Sequence, residues 1–165
     1  MKKVIVIGSP GSGKSTFARK LRDKTGLPLY YLDMIWHKPD KTNVSREEFD
    51  ERLGEILSGD SYIIDGNYSR TLERRFEACD TVFFMDIPVE ECLKGAAERI
   101  GKKREELPWL ETEFSPEFRE WILTFPKRSL PDIIALIEKY KNEKEIIIFK
   151  TRSEADGYID GLTSD

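Results

Sequence analysis

Gly8-Ser9-Pro10-Gly11-Ser12-Gly13-Lys14-Ser15 sets a lysine and a hydroxyl directly after three glycines, a spacing that lets backbone curl around an anion. The stretch fits G-x-x-x-x-G-K-[ST] at every fixed position. Glycines at positive φ turn their N–H groups inward, and the helix that follows adds its partly positive N-terminus. Lys14 then supplies a mobile cation for the β- and γ-phosphates, and the Ser15 hydroxyl is placed to ligate Mg²⁺. With Thr16 opening the helix, Gly8 to Thr16 is the expected cradle of a nucleoside triphosphate. A Gly/Ser-rich turn is the plain alternative, but Val4-Ile5-Val6-Ile7 reads as a buried strand leading in and Thr16 to Leu21 as a helix leading out.

Phosphoryl transfer also asks for an acceptor hydroxyl whose proton a carboxylate can take. Acidic residues follow three apolar runs, as Asp33, Asp65 and Asp86. Asp33 and Asp65 come after the two runs expected to flank the phosphate loop, so either could hold a metal-bound water or accept a proton. Asp33 is the stronger acceptor-side candidate because Trp36 and His37 could shape a second pocket beside it; its plain alternative is a helix N-cap or turn residue. Asp65-Gly66 would be a tight turn anywhere else, but here it follows a hydrophobic strand. Asp86, ahead of Ile87-Pro88, reads as a turn or helix-start residue. His37 is the only histidine, which removes any His-cluster metal site, and Cys79 and Cys92 have neither metal nor redox spacing.

The elements that must position these groups alternate. Val4 to Ile7, Leu29 to Leu32, Tyr62 to Ile64, Val82 to Met85 and Ile146 to Phe149 are short apolar runs separated by helical stretches. That order implies right-handed crossovers and a parallel sheet covered on both faces, with ligands outside the carboxyl ends of the strands. Ile146 to Phe149 is continuously apolar and predicts a strand buried on both sides. Ser45 to Leu57 opens with a capping box, and Pro88 to Ile100 and Pro131 to Tyr140 carry proline near a helix start. Gly101 to Pro126 mixes charges with Trp109, Phe114, Trp121 and Phe125 and is expected to form short helices packed over the site.

A chain of 165 residues without a linker, repeat or low-complexity tract reads as one domain, residues 1–165. Hydrophobic residues at 39% with charged residues at 35% describe a soluble globular chain, and no stretch is long enough to span a bilayer. The start lacks the apolar length of a signal peptide, and reduced thiols point to the cytoplasm. A net charge of −4 argues against broad nucleic-acid binding. The local basic groups Arg70, Arg74 and Arg75, then Arg99 to Arg104, then Lys127 and Arg128, read as solvated helix faces or as partners for small anions.

Taken together, these residues resemble the adenylate-kinase-like branch of small P-loop kinases, and most closely the DNA topology modulation proteins. The resemblance rests on Gly8 to Ser15, Tyr30 to Asp33, Tyr62 to Tyr68, Asp80 to Pro88 and Phe125 to Arg128. It implies a three-layer α/β/α P-loop NTPase fold with a five-stranded parallel sheet in the order 2-3-1-4-5, like the nucleoside monophosphate kinases, with an acceptor-binding region at about 33–60 and a small lid at about 99–126. It further implies that Asp65 supports the Mg²⁺ shell, that Arg99 contacts phosphate from the lid border, and that Thr151, Arg152 and Ser153 lie near adenine. Two departures stand out: adenylate kinases have an arginine where this chain has Gly95, and Asp65-Gly66-Asn67-Tyr68-Ser69-Arg70 has one residue more before its arginine. Both put AMP in doubt as acceptor.

The expectation is therefore an ATP- and Mg²⁺-using kinase acting on a nucleotide, nucleoside or small hydroxyl metabolite, as a monomer or homodimer. Lys14, Arg99 and Arg128 would neutralise the transferring group, Ser15 and Asp65 would hold the metal, and Asp33 would orient or deprotonate the acceptor. The competing expectation is a nucleotide-binding regulator affecting DNA topology with little turnover.

Overall fold

The computed structural model describes residues 1–163. Its elements run β1 (Lys3–Gly8), α1 (Lys14–Thr25), β2 (Leu29–Tyr31), α2 (Leu32–Trp36), α3 (Arg46–Leu57), β3 (Tyr62–Asp65), a 3-10 turn (Ser69–Thr71), α4 (Leu72–Ala78), β4 (Thr81–Met85), α5 (Val89–Glu98), α6 (Pro116–Arg128), α7 (Leu130–Tyr140), β5 (Glu145–Phe149) and α8 (Arg152–Gly161). All strand pairs are parallel and the order is β2-β3-β1-β4-β5.

Alternation along β1 builds both faces of the core. Ile5 and Ile7 pack with Ile64, Phe84 and the α3 residues Phe49 and Leu53, whereas Val4 and Val6 pack with Ile63, Phe83 and the α1 residues Phe17 and Leu21. A strand sandwiched this way must be apolar throughout, which is why β1 carries no polar side chain after Lys3. The register pairs Val6 with Asp65, Gly8 with Met85 and Tyr31 with Asp65. The carboxyl ends of the strands thus share one edge, and the loops that leave them converge there.

Three expectations are corrected. Only β3 and β4 flank β1, so β2, which leads to Asp33, lies one strand further out. The run Ile146 to Phe149 forms the outermost strand: Phe149 is buried but Ile148 is 42% exposed, because an edge strand has no neighbour to cover its far side. Gly101 to Pro126 holds one helix rather than several. Pro116 opens α6 beside the Ser115 cap, whose Oγ accepts from the Phe118 N–H at 3.1 Å, and Pro126 sits inside its last turns. Proline there removes one N–H, yet the helix closes because the Ser129 N–H still reaches the Phe125 carbonyl at 2.9 Å.

Candidate functional site

The loop between β1 and α1 is pressed against α5. Gly11 has φ 78°, and a Cβ added to it would lie 2.0 Å from the Cys92 carbonyl oxygen; one added to Gly95 would lie 2.3 Å from the Gly11 carbonyl oxygen. Neither position can hold a side chain. Gly95 is therefore a packing requirement of this loop, and an arginine at that position has no room. Arg152, at the start of α8, reaches the same spot from the opposite side: Nη2 donates to the Gly11 carbonyl at 2.7 Å and the Glu91 carbonyl at 2.9 Å. It borders the loop's outer cavity while pinning the loop to α5, and Thr151 caps α8 by accepting from the Glu154 N–H at 3.1 Å.

Two cavities open on the strand ends, of about 500 Å³ and about 420 Å³. Lys14, Ser15, Arg99, Arg104 and Glu106 line both. The smaller adds Gly11, Gly13, Thr16 and Arg152 from the phosphate-loop side; the larger adds Asp33, Tyr68 and Arg128 from the other. Gly8 and Pro10 face the larger cavity, and Ser9 and Ser12 are buried in the loop itself. Lys14, Ser15, Asp33, Arg99, Arg128 and Arg152 thus line one or both spaces, whereas Asp65, Asp86, Thr151 and Ser153 line neither.

Asp65 ends β3 within reach of the loop: the Ser15 hydroxyl donates to its Oδ2 at 2.6 Å. Burial pushes the Asp65 carboxyl up to about 6, against the downward pull of Lys14 and of the Ser15 hydrogen bond. Its other oxygen, Oδ1, is buried without a partner. Among the described residues six buried side-chain polar atoms lack partners, and five of them, on Ser12, Asp65, Asn67, Arg99 and Arg128, belong to this site. Buried polar groups are ordinarily paired, so their concentration here fits a missing polar ligand. Ser15 and Asp65 suit Mg²⁺, which takes one or two protein oxygens and completes its shell with phosphates and water. The described residues hold no cluster of three acidic, histidine or cysteine side chains able to bind a metal alone.

Asp33 stands in the first turn of α2, where the Tyr68 hydroxyl donates to its Oδ1 at 2.6 Å. Burial, with Asp33 beside it, raises the Tyr68 phenol far above the usual tyrosine range, so that hydroxyl remains a donor. Arg99 closes the C-terminal end of α5, over the Phe118 ring at 5.5 Å, and burial lowers its guanidinium pKa, helped by nearby Arg104. Arg128 lies over the Trp121 ring, its Cζ 3.1 Å from the ring centre, with Nη2 on the Trp121 carbonyl at 2.9 Å. It lines the larger cavity while being held by its own helix.

Several site residues escaped the sequence reading. Arg75, grouped there with solvated basic residues, is fully buried: its guanidinium donates to the Gly66 carbonyl at 2.8 Å, the Tyr68 carbonyl at 2.9 Å and the Asn67 carbonyl at 3.2 Å. Burial lowers it to about 10. Its signal was present, since Leu72, Arg75, Phe76 and Cys79 share one helical face and the other three are apolar. Glu106, also buried, pairs with Arg19 at 2.7 Å and Arg104 at 3.3 Å. Glu105 accepts from Arg22 at 2.9 Å and from the Tyr31 hydroxyl, tying the segment 101–115 to α1 and β2. No local pattern announces pairs more than eighty residues apart.

No established family model matches the chain. It is 26% identical over 88 residues to the adenylate kinases of Thermotoga neapolitana and Thermotoga maritima, a match over 52% of this chain and 39% of theirs. The chain spans well under half the length of these relatives. Among solved structures it is similar to the shikimate kinase of Acinetobacter baumannii bound to shikimate (TM-score 0.62, 13% identity, 99% of this chain and 97% of that one). It is also similar to an unliganded sugar kinase from Janibacter sp. HTCC2649 (TM-score 0.55, 22% identity, 97% and 91% coverage). The fold is that of the P-loop NTPases. No described helix is long and apolar enough to cross a membrane.

Proposed function

We propose that the protein is a Mg²⁺-dependent kinase that moves the γ-phosphoryl group of ATP to a hydroxyl of a small molecule. The observation that carries this is the pair of cavities meeting at Lys14, Ser15 and Arg99, with the phosphate loop on one side and Asp33 on the other. A regulator that only bound nucleotide would need the first cavity and not the second. On the motifs of the sequence alone, we group it with the DNA topology modulation proteins. Buried, unpaired Cys79 and Cys92 suit the cytoplasm.

In this reading residues 1–165 form one kinase domain. The backbone of Gly8 to Thr16 holds the triphosphate, with Arg152 at the nucleotide end. Ser15 and Asp65 hold Mg²⁺, which when bound neutralises charge on the β- and γ-phosphates. Residues 33–60 receive the acceptor, and residues 99–126 act as a lid that excludes water and presents Arg99 and Arg128. Asp33 takes the proton as the acceptor oxygen bonds to the γ-phosphorus and the bond to the ADP oxygen breaks. The Tyr68 hydroxyl keeps Asp33 aimed, and catalysis comes from positioning and charge.

Replacing Lys14 by Ala tests the reading. ADP formation stimulated by an acceptor should fall at least about a thousandfold while the protein stays folded. Undiminished ADP formation would end the assignment.

A further inference from the structure

We infer that the acceptor is an uncharged, ring-bearing hydroxyl compound of the nucleoside class, without phosphate or carboxylate; this rests on the kinase reading above. The wall of the larger cavity formed by α2 and the loop after β3 presents Asp33, Trp36, His37, Asn67, Tyr68 and Ser69. It contains no lysine or arginine. The basic residues of that neighbourhood face elsewhere: Arg70 forks onto the Asp50 carboxylate at 2.7 and 3.0 Å, Arg74 donates to the Asp50 carbonyl at 3.2 Å, and Arg75 is spent on loop carbonyls. An anionic substituent on the acceptor would have no cation waiting there.

The opposite wall has one cation with a donor left over. Arg104 is committed to Glu106 and Glu111, and Arg128 lies over Trp121 with Nη1 on Ser129 at 2.9 Å and Nη2 on the Trp121 carbonyl, leaving only its Nε–H unpartnered. Lys14 and Arg99 stand where the two cavities meet, the place of the transferring phosphate. Setting aside that shared zone and the Arg104–Glu111 ion pair, the acceptor lobe carries Asp33 and Glu113 against Arg128, so an incoming phosphate or carboxylate meets more like charge than opposite. The free polar atoms there are two acceptors, the Asp33 carboxylate and the buried, unpartnered Asn67 Oδ1, and one donor, the unpartnered Arg128 Nε–H. The two acceptors call for ligand O–H and N–H donors, which an oxyanion lacks, and a hydroxyl or ring carbonyl oxygen would satisfy the one donor.

The rest of the lobe is aromatic. Trp109 meets the His37 ring edge-on at 4.9 Å, Trp36 meets Phe49 edge-on at 5.8 Å, and Trp121 is 50% exposed beside them. Walls of indole, with two acceptor atoms at the base, suit a planar ring bearing hydroxyl and N–H groups better than a bare polyol, which needs many more polar partners.

The test is a coupled assay of the intact chain with ATP and Mg²⁺ against nucleosides, their 5′-monophosphates, neutral sugars and polyols, and a hydroxylated ring carboxylate. Nucleosides should raise ADP formation about tenfold or more over the acceptor-free rate, with the phosphorylated product seen by mass, and the matching monophosphates should be used less than about one-tenth as efficiently. Trp109→Leu should raise KM for the nucleoside at least about fivefold beyond any change in KM for ATP. Ser69→Arg, which adds a cation to the wall, should shift preference toward monophosphates by about tenfold. A monophosphate, carboxylate or plain polyol used best, or a Ser69→Arg preference that does not move, overturns the inference and leaves the kinase reading standing. No stimulation by any compound while ATP still binds overturns both.

Discussion

The two walls of the cleft are built by different means. On the phosphate-loop side, geometry is set by backbone: the ends of β1 and β3 lie in register, Gly11 and Gly95 permit a contact closer than any side chain allows, and one 2.6 Å hydrogen bond joins Ser15 to Asp65. On the facing side, residues 101–115 contain no regular element and are held by ion pairs to α1, through Arg19 with Glu106 and Arg22 with Glu105. A wall fixed by packed backbone stays preformed, whereas one tied by two side-chain ion pairs, the Arg22–Glu105 pair exposed and the Arg19–Glu106 pair partly buried, has no regular backbone ladder of its own and opens more readily. That is the division expected of a rigid nucleotide cradle and a movable cover.

The sharpest way to break the comparison is to separate chemistry from nucleotide binding. Asp33→Asn keeps shape and removes the base, so kcat should fall about 10²- to 10⁴-fold while the Kd for ATP stays within about threefold. Steady-state kinetics beside ATP titration will decide; a parallel loss of ATP affinity would place Asp33 on the nucleotide side. Next in size, Arg75→Met leaves the Gly66, Asn67 and Tyr68 carbonyls without their donor and should cost about 3 kcal/mol of stability in denaturant unfolding. The loss should come with a raised KM for the acceptor, because that loop carries Tyr68 to Asp33. A variant as stable as the parent would mean that water replaces the guanidinium.

The same division explains what could be read from the chain. The phosphate loop and the alternation of strands with helices follow from local residues and from connections whose handedness is constrained, whereas the sheet order came only with the resemblance to the small P-loop kinases. β5 misled because a run of isoleucines reports apolarity and not which neighbour covers it; the edge position is a fact of topology. Arg75 was legible in principle from its place on an apolar helical stripe, but charge outweighed position. The pairs of Glu105 and Glu106 were not legible, because they join segments that meet only once the sheet has formed.

A subtler test sets the preformed wall against itself. Asp65 has an ordinary pKa of 3.8 and a folded value of about 6, so between these the native state holds a proton that the unfolded chain has lost. Without metal, stability should therefore decline as pH rises from about 4 through about 6. Asp65→Asn cannot titrate, so it should gain on the parent across that window, by about 2–3 kcal/mol above pH 6, and lose the stabilisation by Mg²⁺ and ATP that the parent shows. Denaturant titrations at several pH values, with and without Mg²⁺, will show it; a parent curve flat across the window would mean that Lys14 and Ser15 offset the burial of the charge.

The smallest effect probes the cover. Glu106 lines both cavities, and its carboxylate occupies Arg19 and Arg104, one of which stands where the triphosphate must pass. A buried carboxylate between cations that could serve a phosphate competes with it, so removing the charge should favour the ligand even as it weakens the cover's tether to α1. Glu106→Gln keeps the side chain's volume and should tighten ATP binding about threefold to fivefold, a gain of under about 1 kcal/mol, with a steeper dependence on salt. Titration at two ionic strengths separates the contributions. Tighter binding with a steeper salt slope identifies Glu106 as an occupant the nucleotide displaces, whereas weaker binding would mean that the ion pairs are needed to hold residues 101–115 over the bound phosphates, and that the cover is as preformed as the wall it faces.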